Sequence, residues 1–160
     1  MPRLSIETPS ETQIVVSRSF AAPPAQVFRA HVDSDLIPQW MNIMPGWTMP
    51  VVESDPRPGG AFRFRWDDGE GGGFRIEGDF IEVEPGRRIL HVERMFLPDR
   101  TPDNRVETLF EPDGEGTRLR MTMTLPDAAA LQAMLQTGMT EGMEMTYDLL
   151  DTLLAEDAAT

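Results

Sequence analysis

The stretch AFRFRWDDGEGGGFRIEGDFIEV, residues Ala61 to Val83, decides the fold class. Its first half alternates, with Phe62, Phe64 and Trp66 on one side and Arg63 and Arg65 on the other. Side chains of a strand alternate between its faces, so this is a half-buried β-strand. The second half repeats the pattern, with Phe74, Ile76, Gly78 and Phe80 on one face and Arg75, Glu77 and Asp79 on the other. Asp67 to Gly73 between them is rich in glycine and aspartate and reads as a hairpin loop. Setting Arg65 against Glu77 and Arg63 against Asp79 places opposite charges together on the outer face and gathers the aromatic rings on the inner one.

Outward from this hairpin the strand pattern continues. Met49 to Ser54 is a short strand, cut off from Ala61 by Pro56-Arg57-Pro58-Gly59-Gly60. Downstream, Arg88–Phe96, Arg105–Glu111 and Thr117–Leu125 are strands, with Pro85-Gly86 and Asp113-Gly114-Glu115-Gly116 as turns. Upstream, Thr12 to Phe20 alternates as a strand, and Pro23 and Pro24 end it because proline cannot donate to a ladder. Residues 1–11 are polar and contain proline, which predicts a loose leader. The expectation is about seven strands in an antiparallel meander, forming with the helices one domain over 12–156.

Three helical segments accompany the strands. Pro24 suits a first helical turn, and Val27, Phe28 and His31 then share a face through Val32. Asp33-Ser34-Asp35 can cap a short helix over Leu36 to Trp40. Ala128 to Ala155 carries Leu131, Leu135, Met139, Gly142, Thr146, Leu149, Leu150 and Leu153 at helical offsets and reads as one long helix. Gly138 and Gly142 fall inside it, each costing about 1 kcal/mol relative to alanine. That cost suggests close packing or retained space at those positions.

Strand, two small helices, six strands and a long helix is the helix-grip order, and local motifs agree. Phe20-Ala21-Ala22-Pro23-Pro24-Ala25-Gln26-Val27-Phe28 resembles the opening of START-like domains, and Leu36-Ile37-Pro38-Gln39-Trp40 resembles their short helix ending in tryptophan. Asp55-Pro56-Arg57-Pro58-Gly59-Gly60-Ala61-Phe62 resembles a strand start in the family of heat-shock-protein-90 ATPase activator homologues. So do Gly78-Asp79-Phe80-Ile81-Glu82-Val83, Pro85-Gly86-Arg87-Arg88-Ile89 and Gly116-Thr117-Arg118-Leu119 at later points. Gly142-Met143 stands where that family often has Gly-Trp. The resemblance spans about Val15 to Leu154 and implies an α+β helix-grip fold, a curved antiparallel sheet around a long C-terminal helix, with a cavity between the two. The superfamily hosts ligand carriers, cyclases, hydrolases and cochaperone domains, so it implies the fold far more narrowly than the function.

Composition removes several chemistries. Net charge is −13, and all 14 basic residues are arginine. Such a field repels phosphate, which argues against nucleic acid as a partner. Without lysine there is no Schiff-base or P-loop chemistry. Without cysteine there is no disulfide, thiolate nucleophile or thiolate metal site. Two distant histidines and no HExxH leave no metal motif, and no cofactor motif is present. No basic stretch followed by an apolar core begins the chain, and no apolar run reaches the ~18 residues of a membrane span. A cytoplasmic location without membrane insertion is expected.

The candidate ligand-binding residues follow from parity and from the implied cavity. The sheet supplies Phe64, Trp66, Phe74, Ile76, Met121 and Met123, together with Phe62. The short-helix region supplies Trp40, Met44 and Trp47, and the long helix supplies Leu135, Met139, Met143 and Tyr147. The 11 methionines suit an adaptable apolar site, although the same stripes also describe an ordinary filled core. His91 and Glu93 share parity with Ile89 and Met95, which would place two polar groups in an apolar pocket, where such groups orient ligands or act as acid and base. His31 is read as a packing residue with one hydrogen bond. The leading expectation is a small apolar or amphipathic ligand bound between sheet and helix. A cyclase- or hydrolase-type enzyme using His91 in the same cavity and a cochaperone-like interaction module stand beside it, and a homodimer or other protein partner stays open.

Overall fold

The computed structural model describes residues 4–96 and 99–159; positions 1–3 of the expected leader lie outside the described residues. Eight strands form one open antiparallel sheet: β1 (Ser5–Ser10), β2 (Gln13–Phe20), β3 (Thr48–Ser54), β4 (Ala61–Asp67), β5 (Gly73–Glu84), β6 (Arg88–Phe96), β7 (Asn104–Asp113) and β8 (Gly116–Thr124). Their order is β1-β2-β8-β7-β6-β5-β4-β3. Four helices among the described residues complete the fold: α1 (Pro24–Val32), α2 (Ile37–Met41), α3 (Ala128–Leu135) and α4 (Met139–Ala159). After β2 the chain crosses through α1 and α2 to the far edge of the sheet. It then returns strand by strand until β8 pairs with β2.

The strand count exceeds the expected seven because Ser5–Ser10 is not a loose leader. It pairs with β2, Ile6 opposite Val16 and Glu7 opposite Val15. Five of its six residues are exposed, so it is held mainly by backbone ladder bonds, with Ile6 its one residue packed against the core.

The central hairpin keeps the expected parity but takes a register two residues away. Arg63 stands opposite Glu77, and Arg65 opposite Arg75. The loop sets this. Asp68 Oδ1 accepts from the backbone N–H of Glu70 (2.7 Å) and Gly72 (3.0 Å), and Asp67 Oδ1 accepts from Gly69 N–H (2.8 Å). These aspartate turns close the tip at the Asp67–Gly73 pair. The outer charges then find other partners: Arg94 takes Asp79 at 3.1 Å, and Arg75 pairs with Glu77 at 3.2 Å while lying 3.7 Å over the Phe96 ring. A glycine is required at Gly78, because a Cβ there would sit 2.2 Å from the Phe62 ring and 2.4 Å from the Val92 carbonyl.

The expected single C-terminal helix is two. Gly138, at φ +82°, sits between α3 and α4 in the left-handed region that side-chain-bearing residues avoid. Asp127 caps α3 by accepting from Ala130 N–H at 2.8 Å. The second short helix runs one residue later than expected, and its N-cap, Leu36, offers no side-chain bond. Asp33 instead serves this turn through its carbonyl, which accepts from the N–H groups of Leu36 and Ile37 at 3.0 Å each.

The helices lie against one face of the sheet, with α1 packed on β7 and β8 and α2 packed on α4. Two indole N–H groups fix the helices, one joining α2 to α1 and the other joining β4 to α2. Trp40 Nε1 donates to the Ala30 carbonyl (2.9 Å) and Trp66 Nε1 to the Met41 carbonyl (3.2 Å). Arg18 of β2, which is 2% exposed, points inward and bonds Asp148 of α4 at 2.8 Å, with its guanidinium 4.7 Å over Phe20.

Candidate functional site

Between the sheet and α4 lies a cavity of about 550 Å³. It exists because α4 is held off the sheet at defined points. Tyr147 stacks on Trp40 (centroids 6.0 Å, planes 19° apart) and meets Phe20 edge-on at 5.7 Å, while Arg18 and Asp148 bridge β2 and α4.

The floor comes from inward positions of the sheet. Phe64 and Trp66 of β4, Phe74 and Ile76 of β5, and Met121 and Met123 of β8 all line the space, as does Phe62. Trp66 and Phe74 stack at 4.6 Å with planes 12° apart. Trp40 and Met44 close one side, and Met139, Met143 and Tyr147 of α4 form the roof.

Two expected positions do not reach it. Trp47 lies behind the wall, tilted against Phe74 at 6.1 Å. Leu135 packs against the core elsewhere, and Met134 takes its place in the lining. The cause is the helix break: a continuous helix would put positions 135, 139 and 143 on one face, but the turn at Gly138 rephases α3 against α4.

Other lining residues escaped the sequence reading. Phe80 shares the parity of Phe74 and Ile76, so parity alone could have found it. Met41, Ile43, Val106 and Thr108 carry no distinguishing pattern. Thr137, Gly138, Gly142 and Thr146 come from the helix break and the turns after it.

The polar groups are few. On β6, His91 and Glu93 both face the cavity, in line with their expected parity, and each side chain is 15% exposed. His91 Nε2 lies 2.7 Å from Glu93 Oε1. Glu93 carries no other hydrogen bond among the described residues. An ionised carboxylate only accepts, so Nε2 carries the hydrogen and Nδ1 is left buried and, among the described residues, without a partner. The ring packs edge-on against Phe62 at 5.1 Å.

His31 makes the single bond expected of it, its Nδ1–H donating to the Val27 carbonyl at 2.8 Å, and it also lines the cavity. Burial between Trp40 and Phe110 lowers its pKa to about 4, so it is uncharged at neutral pH. Burial likewise pushes the Tyr147 hydroxyl above its usual range, so it remains a neutral phenol. Among the described residues no group of His, Asp and Glu side chains could hold a metal ion, and no helix is long and apolar enough to cross a membrane.

Solved structures share this fold. A protein from Rhodobacter sphaeroides superposes with a TM-score of 0.87 at 30% identity, covering 96% of this chain and 99% of that one. Protein Ms6760 from Mycobacterium smegmatis (TM-score 0.84, 22% identity, 97% and 99% covered) and NE0264 from Nitrosomonas europaea (0.81, 23%, 96% and 100%) share the fold. No curated protein matches the chain. The profile described as "Activator of Hsp90 ATPase homolog 1-like protein" matches residues 21–155, and the chain, with its START-like fold, belongs to that family.

Proposed function

We propose that the protein binds one small apolar or amphipathic molecule in the cavity between sheet and α4. The observation that carries this reading is the cavity itself: about 550 Å³ walled by aromatic and methionine side chains, with polar groups gathered mainly at His91, Glu93, His31, Thr108 and Tyr147. Ligand pockets have this composition, apolar walls with a few polar groups that set orientation. Burying ~200 Å² of apolar ligand surface would contribute roughly 5 kcal/mol before association costs, which corresponds to a Kd of about 0.2 mM at best, so tighter binding needs more buried area or good polar contacts.

The test uses Nile red, a neutral dye that brightens in apolar surroundings. Saturable 1:1 binding is expected, lost in Gly142→Phe, whose ring would project from a position where a Cβ meets no atom within 4 Å. Equal binding by a Gly142→Phe protein that melts like the parent would place the dye elsewhere and refute the reading.

The unpaired Nδ1 of His91 favours a second reading, acid–base catalysis in the same cavity. The His91–Glu93 bond leaves that nitrogen as a bare acceptor within an apolar wall. Under this reading His91→Gln abolishes turnover of a bound compound without abolishing its binding; a fall in binding alone speaks for the carrier role.

A further inference from the structure

The charges in and around the cavity are one-sided. Among the described residues Glu93 is the only acidic side chain in its wall, and no arginine lines it. The carboxylate is largely shielded from solvent yet has one protein hydrogen bond among the described residues, from His91. A carboxylate has about four acceptor sites, and leaving them empty away from water is costly.

Among the described residues no positive charge lining the cavity is free to compensate. His31 is held neutral. Arg18 is engaged by Asp148 and by the Ser19 carbonyl, and it does not reach the lining. If His91 is neutral, the pair carries one negative charge; if it is protonated, the two compensate each other. In neither state does the wall offer a cation to an incoming anion.

The approach is acidic as well. Trp66 and Phe74 lead into the β4–β5 tip, which bears Asp67, Asp68 and Glu70 and no base. On the roof, Glu141 and Glu144 flank the lining residues Gly142 and Met143. Trp40, Phe64, Trp66 and Phe74 line the cavity, and aromatic rings attract positive charge at any face left unstacked.

We infer that the preferred occupant is an apolar body carrying a protonated amine, whose N–H groups complete the hydrogen bonding of Glu93, and that carboxylate amphiphiles of the same size are rejected. This inference rests on the ligand-binding reading above and adds to it the class of ligand.

The experiment is displacement of Nile red by dodecylamine, dodecanol and dodecanoate at pH 7.5 and 0.3 M salt. At that ionic strength the Debye length is about 6 Å and the general acidity of the surface is largely screened. Dodecylamine is expected to bind at least about tenfold more tightly than dodecanoate, equivalent to about 1.4 kcal/mol, with dodecanol between them. In Glu93→Gln, which keeps size and shape, the amine-to-carboxylate ratio should fall to within about threefold. Equal or tighter binding of dodecanoate by the parent protein overturns the inference, whether or not the variant folds. An amine preference that survives Glu93→Gln overturns it too, as does displacement by none of the three compounds when the dye itself binds. Failure of Nile red to bind is a different result: it removes the cavity reading, and this inference with it.

Discussion

Gly138 and Gly142 are one helical turn apart, yet alanine should act on them with opposite signs. Gly142 lies within α4 and has no positive φ, and a Cβ built on it meets no atom within 4 Å. Alanine there adds helix propensity and narrows the conformational freedom of the unfolded chain without a clash, a stabilisation of about 0.5–1 kcal/mol. Gly138 has φ +82°, where a Cβ crowds the following carbonyl, so alanine should destabilise by about 1–2 kcal/mol even though its nearest contact is 3.9 Å away. For a domain of 160 residues the unfolding entropy is about 0.3 kcal/mol per degree, so Gly142→Ala should raise the melting temperature by ~2–3 °C and Gly138→Ala should lower it by ~3–6 °C. Differential scanning calorimetry and urea unfolding of the two variants read this directly. If Gly142→Ala is destabilising, something approaches that backbone closely and the open space assigned to it is not there. If Gly138→Ala is neutral, the break between α3 and α4 does not depend on a left-handed residue. A stabilising Gly142→Ala would mean that this position is held by glycine at a cost to stability, as expected where cavity volume is being kept.

Asp148→Asn should cost about 1–3 kcal/mol in urea unfolding, because it leaves the buried Arg18 charge unpaired, whereas Arg18→Met removes charge and burial cost together and should be closer to neutral; equal losses would contradict the asymmetry. His31 has a folded-state pKa of about 4 against an ordinary 6.5, so the unfolded chain binds the extra proton between these values. Its contribution is complete above pH 6.5 and is lost as pH falls toward 4, on the order of 3 kcal/mol in all. The parent protein should therefore lose more stability than His31→Phe between pH 7.5 and 4.5, and parallel pH profiles would remove His31 as the cause.

The existence of the central strands and their inner faces were legible because they rest on local periodicity, whereas the helix-grip order came from the family resemblance. Alternation in Phe62–Trp66 and Phe74–Phe80 sets which side chains face inward, and that parity survives a register shift of two. Phe64, Trp66, Phe74 and Ile76 share that inward parity and line the cavity; for His91 and Glu93 the sequence showed a shared parity but not which side is concave. The register itself was not legible, because it is set by aspartate side chains bonding loop amides and not by charge pairs across the strands, which are weak at an exposed surface. β1 was invisible for a related reason: an exposed edge strand held by backbone bonds leaves no apolar signature.

By itself, then, the sequence determined the class of fold, the inner face of each central strand and the chemistry the chain cannot perform, since these depend on residue type and on a period of two. Only the tertiary structure decided that Met134 and not Leu135 meets the cavity, that Trp47 stands behind Phe74, and that sheet and α4 enclose open space instead of a filled core. The physical reason is distance. A cavity is the gap left between elements far apart in the chain, and its width is set by contacts such as Trp40–Tyr147 and Arg18–Asp148, which no local pattern records.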